Sequence, residues 1–258
     1  MAKAWTRFPH ADKTYVHDGA GLRKQWARLH RGDCEPLPKE AGAIAAWQAF
    51  HAGDFARAVE AGLAAGGSGV SAAVKAQVVH GHYLEAADKV KVALFEEAAG
   101  WADERRSTNP KDANAHYLYA FAMGRYSQGI SVVKALARGL GGKIRDALIT
   151  AMKLEPGHAD ASIAYGAYQA EVIDKVGGLV AGVTYGAKKD SAIEHFERAL
   201  KLNPDSAIAR IEYANGLIML FGKSRLDAAT KLYEAAAACK PADAMERLDV
   251  ERAKSELE

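Results

Sequence analysis

The sequence has only two cysteines in 258 residues, Cys34 and Cys239, and they lie far apart. That excludes a disulfide framework and makes a reducing compartment the expectation. Prolines are also few: there are seven, and three of them fall within the first 38 residues. No sustained period-2 alternation bounded by turn signals occurs, so strands have little support. An excess of one charge is missing too. The formal charge is +2, which does not indicate a large nucleic-acid footprint. No apolar run approaches the about 20 residues needed to span a bilayer, so no membrane span is expected. No secretory leader is visible either, because the opening Met1-Ala2-Lys3-Ala4-Trp5-Thr6-Arg7 runs straight into polar sequence. The expectation is a soluble, cytoplasmic protein.

Apolar residues are plentiful at 49%, with alanine supplying an unusual share. Alanine favours helix and lets helices approach closely. The clearest helix runs from Ala192 to Pro204. Ala192, Phe196, Ala199 and Leu200 fall at i, i+4, i+7 and i+8, one stripe of a period-3.6 helix. Glu194→Arg198 and Glu197→Lys201 are favourable i,i+4 pairs on the other face. Asn203 precedes Pro204, which disfavours helical geometry in the residue before it, so the helix stops there.

Weaker copies of this helix end at Pro110, Pro156 and Pro241, giving spacings of 46, 48 and 37 residues. About ten residues beyond matching prolines come the pairs Tyr119-Ala120, Tyr165-Gly166 and Tyr213-Ala214. The pattern Ala-x3-Phe/Tyr-x2-Ala-Leu-x-Leu-x-Pro resembles the second helix of a tetratricopeptide repeat (TPR), whose unit is about 34 residues. Two repeats are therefore enlarged by roughly 12 and 14 residues over that unit. The expected fold is all-α: a right-handed superhelix of TPR-like helical hairpins with two enlarged repeats and a C-terminal capping helix.

The expected division is an N-terminal capping segment with one helix over residues 1–38, a repeat array of about five helix pairs over 39–241, and a polar capping helix over 242–258. In the first segment Asp18 is a plausible cap, and Leu22, Trp26 and Leu29 form a stripe. The inserts fall near 126–142 and 172–188. Both are apolar and glycine-rich, and they are expected to be partly helical and docked. The stretch with Gly177-Gly178 ahead of Ser191–Leu200 is also similar to the T component of tripartite substrate transporters. The repeat spacing resembles the helical-repeat domain of the regulator-of-microtubule-dynamics family.

The TPR resemblance implies a binding role with no common catalytic activity. Its register places Trp47, Phe50 and His51 on the concave face in the first repeat. Asn114, Tyr117, Phe121 and Arg125 follow in the third, and Asp160, Ile163, Ala167 and Glu171 in the fourth. The fifth contributes Ile211, Asn215 and Met219. A protein or peptide partner in that groove is the expected function, with a small solute beneath the inserts as the alternative. Ile211 stands where chaperone-binding members carry a clamp lysine, so a clamp for a C-terminal carboxylate is not indicated.

No catalytic constellation survives the spacing checks, and no catalytic residue, metal ligand or cofactor is expected. Ala137-Arg138-Gly139-Leu140-Gly141-Gly142-Lys143-Ile144 lacks both the first glycine and the Ser/Thr of a phosphate loop, and reads as a turn. His80 and His82 are two apart and diverge on a helix. Cys34 follows His30 by four residues, but only across the Gly32-Asp33 break. His195 falls on the charged face and reads as solvated. Gly178, Gly182 and Gly186 suit close packing of a docked insert, a flexible ligand-gating loop or an oligomer contact.

Overall fold

The computed structural model describes residues 5–258, so the first four residues of the opening stretch, on which the expectation of no secretory leader rests, lie outside the described residues. The described chain is all-helical. A short α1 (Gly19–Leu29) precedes five hairpins: α2 (Ala41–His51) with α3 (Phe55–Ala65); α4 (Gly69–Tyr83) with α5 (Asp88–Thr108); α6 (Ala113–Ile130) with α8 (Leu140–Leu154); α9 (Ala159–Val176) with α11 (Lys189–Leu202); and α12 (Ala207–Phe221) with α13 (Leu226–Ala237). Two short helices, α7 (Val132–Ala137) and α10 (Gly178–Tyr185), occupy the enlarged repeats, and α14 (Ala244–Ser255) closes the chain.

Punctuation in the sequence sets these boundaries. Asn109, Glu155 and Asn203 end α5, α8 and α11 in extended or bridging geometry, each immediately before a proline. Two residues past each proline a side chain caps the next helix. Asp112 accepts from the Ala115 amide (3.1 Å), His158 from Ala161 (3.1 Å) and Ser206 from Ala209 (3.1 Å). Pro241 obeys the same rule: Asp243 accepts from the Glu246 amide at 2.8 Å. By this rule α14 starts as the first helices of the hairpins do.

First helices pack side by side, α2 on α4, α4 on α6, α6 on α9, α9 on α12 and α12 on α14, with the second helices behind them. Small residues make the contacts tight. Phe196 of α11 is fully buried between Gly166 of α9 and Gly216 of α12 and stacks on Tyr213 (5.2 Å between ring centres). A Cβ at Gly166 would lie 3.0 Å from the Phe196 ring, and one at Gly216 only 2.5 Å away. Phe196 thus fills a slot between two neighbouring helices.

The inserts prolong α6 and α9 to 18 residues each and add α7 and α10. Helix α7 is docked through Val132, Ala135 and Leu136. Helix α10 buries only Ala181 and turns Leu179 and Val183 to solvent, so the docking expected of this insert is partial. Its glycines form no tight packing face: a Cβ on Gly178 or Gly186 would meet nothing within 4 Å, and one on Gly182 only the Ala187 carbonyl at 3.8 Å.

The two ends of the array meet. Helix α14 contacts α2 as well as α12 and α13, and Ala244 and Leu248 share one core with Leu22, Trp26, Trp47 and Phe50. Arg28 makes a two-pronged ion pair with Glu246 (2.6 and 2.9 Å), and His51 Nδ1 lies 2.7 Å from Asp243. Helix α14 is therefore not the solvated polar cap expected from its charges. Asp243 and Asp249 are buried, while Glu246 and Arg252 pair with residues of the N-terminal half.

Candidate functional site: the partly enclosed concave face

The segment after α1 runs across the starts of the first helices. The Asn114 side-chain amide donates to the Asp33 carbonyl (2.9 Å), and the Asp160 amide donates to the Gly32 carbonyl (2.9 Å). Arg31 reaches Asp205 at 2.6 Å. With α14 on one side, the concave face becomes a partly enclosed cavity of about 130 Å³.

Its walls come from α4 (Lys75, His82, Tyr83), α6 (Tyr117, Phe121, Arg125), α9 (Asp160, Ile163, Glu171), α12 (Ile208, Glu212) and α14 (Met245, Asp249). A branch reaches under the first insert, lined by Val132, Leu136, Ile144, Leu148 and Tyr168. Tyr117 and Phe121 stack in parallel (5.9 Å, 5°), with the Arg125 guanidinium 5.8 Å from the Phe121 ring. Arg125 also pairs with Glu212 at 3.2 Å and donates to Gln128 at 3.0 Å.

Burial dominates the electrostatics. It raises the Asp249 carboxyl to about 8 even though the Tyr83 hydroxyl donates to it. It raises Asp160 to about 6 against the pull of Lys75, and it raises Glu171. Burial also drives His82 well below its usual range, so the neutral ring accepts from Arg252 at 2.7 Å. Burial works against the charge of Lys75 too, but Asp33 at 2.6 Å outweighs it and the ammonium is held. Lys75 and His30 together keep Asp33 ionised, well below the usual carboxylate range, against its own burial.

Of the groove positions expected from the sequence, Tyr117, Phe121, Arg125, Asp160, Ile163, Ala167 and Glu171 come together around this cavity. The others lie elsewhere. Trp47, Phe50 and His51 are buried, in a core shared with α1 and α14. Asn114 is buried too, linking Asp33 to His158 (3.0 Å). Ile211 lies in the core of α12, α13 and α14. Asn215 accepts from the Tyr233 hydroxyl (2.5 Å), and Met219 is exposed. The TPR register alone did not indicate Lys75, His82, Tyr83, Glu212, Met245 or Asp249. For the last two the signal was present: Pro241-x-Asp243 repeats the start of every inner helix from α6 onward.

Other chemistry-bearing residues are structural. His30 faces Asp33 (2.9 Å) and His51 (3.3 Å), not the Cys34 thiol, which burial and nearby carboxylates push up to about 11. His195 is not solvated: its Nδ1 lies 3.1 Å from the Ser162 hydroxyl, with the Tyr165 ring edge-on. Gly139 adopts left-handed geometry ahead of α8, as suits a turn. Among the described residues no group of three His, Cys, Asp or Glu side chains is placed to hold a metal ion, and no helix is long and apolar enough to cross a membrane.

Residues 72–258 match the sequence model of the family described as regulator of microtubule dynamics protein 1-3. The chain belongs to this family. Comparison with curated proteins gives no match. Among solved structures, the chain is similar to the crystal structure of a thermophilic TPR protein of Thermus thermophilus. The TM-score is 0.57 at 15% identity, over 83% of this chain and 97% of that one. At that identity the likeness speaks for the fold, a TPR-like stack of helical hairpins. The matched family region opens in α4 and takes in every helix that lines the cavity.

Proposed function

We propose that this family member is a non-catalytic scaffold that binds a segment of a protein partner on its concave face. The contacts would centre on Tyr117, Phe121 and Arg125. The observation that carries this reading is the cavity, because α14 fills part of the face and leaves an aromatic recess with charged groups at its wall. A face that already takes one of the chain's own helices is shaped to take another apolar segment. The family description, which names regulation of microtubule dynamics, accords with a partner-binding role rather than a catalytic one.

The test uses Gly124, which lines the cavity and whose Cβ would meet nothing within 4 Å. Gly124→Phe should plug the recess while keeping helicity. Wild-type protein and this variant would each be used to recover partners from native lysate, with bound proteins identified. Loss of the main partner from the plugged variant is expected; equal recovery would sink the groove reading. A small solute is the second reading, favoured by the apolar branch beneath the insert. For that reading, a stabilising ligand should raise the melting temperature of the wild type and not of Gly124→Phe.

A further inference from the structure

The charges lining the cavity do not balance in place. Four carboxyl groups line it, those of Asp160, Glu171, Glu212 and Asp249, the last protonated at neutral pH, against the cations Lys75 and Arg125. Both cations are already committed, Lys75 to Asp33 at 2.6 Å and Arg125 to Glu212 at 3.2 Å. Arg252, behind Tyr83, is committed to His82. Among the described residues the Asp160 side chain makes no hydrogen bond or ion pair, although its amide is bonded to Gly32. Its carboxylate lies against the Gly32 backbone, where a Cβ would come within 2.3 Å of the Asp160 Oδ1.

A second observation points to a ligand independently. Tyr117 is 6% exposed and lines the same cavity, yet its hydroxyl has no hydrogen-bond partner among the described residues. The ring is buried while the hydroxyl opens onto the cavity, so a partner for it has to come from the cavity. Tyr168, lining the branch, has a fully buried hydroxyl without a partner. Burial raises the pKa of Asp160, Glu171 and Asp249, and Lys75, Arg125 and Arg252 offset it only in part.

We propose that the cavity binds an organic ammonium ion on an apolar stem. The ammonium would be held between Asp160 and Tyr117, with the stem lying against Phe121, Ile163 and the branch under α7. This rests on the reading of the cavity as the binding site. An ammonium supplies the charge the carboxyls lack and a donor for the Tyr117 oxygen, and the aromatic faces add cation–π attraction. The volume of about 130 Å³ suits a body on the order of a benzene ring with a short arm. The stem can belong to a free amine or to a lysine side chain of a partner.

The test titrates 2-phenylethylamine, and separately its uncharged isostere 2-phenylethanol, by calorimetry at neutral pH. N-acetyl-lysine methylamide serves as a competitor. Binding of the amine with no binding of the alcohol is expected. Tyr117→Phe removes only an unbonded hydroxyl, so it should leave stability unchanged. Tyr117→Phe and Asp160→Asn should each weaken the amine by about tenfold or more, and Gly124→Phe should abolish binding. Competition by the lysine derivative assigns the ammonium to a partner side chain, and its failure assigns it to a free amine; both support the shared chemistry. Equal affinity for the alcohol would overturn the ammonium assignment while leaving the cavity a ligand site. No binding of either probe, with partner recovery still lost in Gly124→Phe, would overturn this inference and leave the groove reading standing.

Discussion

Replacing Asp249 by Asn should change how stability depends on pH, and the structure fixes both sign and size. Asp249 is 3% exposed and carries an acidity near 8, against 3.8 when solvated. Between those values the folded protein holds a proton that the unfolded chain has released. Stability must therefore fall as pH rises from about 4 to about 8, at up to about 1.4 kcal/mol per pH unit. A shift of about four units sets a ceiling on the order of 5 kcal/mol, which local opening of α14 would reduce. Asn has the same shape, still accepts from Tyr83 and cannot ionise. Asp160 and Glu171 lean the same way in both proteins, so they cancel in the difference. Urea unfolding at several pH values between 5 and 9 should show Asp249→Asn gaining on the wild type as pH rises, with most of the gain complete above pH 8. Parallel curves for the two proteins would show that Asp249 ionises normally and that the end of the groove at α14 is wet.

Three further outcomes can be checked. Gly124→Ala and Gly216→Ala make the same chemical change in two inner helices with opposite expected signs. The first has room and should gain up to about 1 kcal/mol of helix propensity, whereas the second presses on Phe196 and should lose about 1–3 kcal/mol; denaturant midpoints decide. Lys75→Met strands the buried Asp33 carboxylate and should cost about 3–5 kcal/mol, much of it recovered in the double variant with Asp33→Asn. Cys34 should react with iodoacetamide at pH 8 on the order of a hundredfold more slowly than an unperturbed thiol, because so little of it is thiolate.

The part of the fold written in local sequence was legible. Ala192, Phe196 and Ala199 are fully buried, as their stripe implied, and Asn203-Pro204 ends α11 where the proline requires. From α6 to α9 the register coincides with the cavity wall, because Tyr117 and Ile163 stand three residues before Ala120 and Gly166, and Arg125 and Glu171 five residues after them. What could not be read there was what lies against each inner face. Trp47 and His51 hold the register positions of Phe121 and Arg125, but long-range partners cover them, and no local pattern encodes a contact such as His51 to Asp243, 192 residues apart. The opposing wall was missed because α4 departs from the repeat pattern and because the charges of α14 resemble those of a solvated surface. Charge marks a helix as exposed only when no partner faces it, and Arg28, His82 and Tyr83 face this one.

The meeting of α14 with α2 also changes how the molecule comes apart. An open solenoid frays from its ends, since each unit answers only to its neighbours. Here the terminal units hold each other through Arg28–Glu246, 218 residues apart in sequence. The ring cannot close until that late segment returns to the first hairpin. Closure adds contacts of very high sequence separation to an otherwise local topology, and such contacts slow the final folding step. Until it closes, the aromatic cluster around Trp26 and Trp47 lacks the cover of Ala244 and Leu248. A nascent chain that stalls before Asp243 would leave an apolar surface open to chaperones or to aggregation.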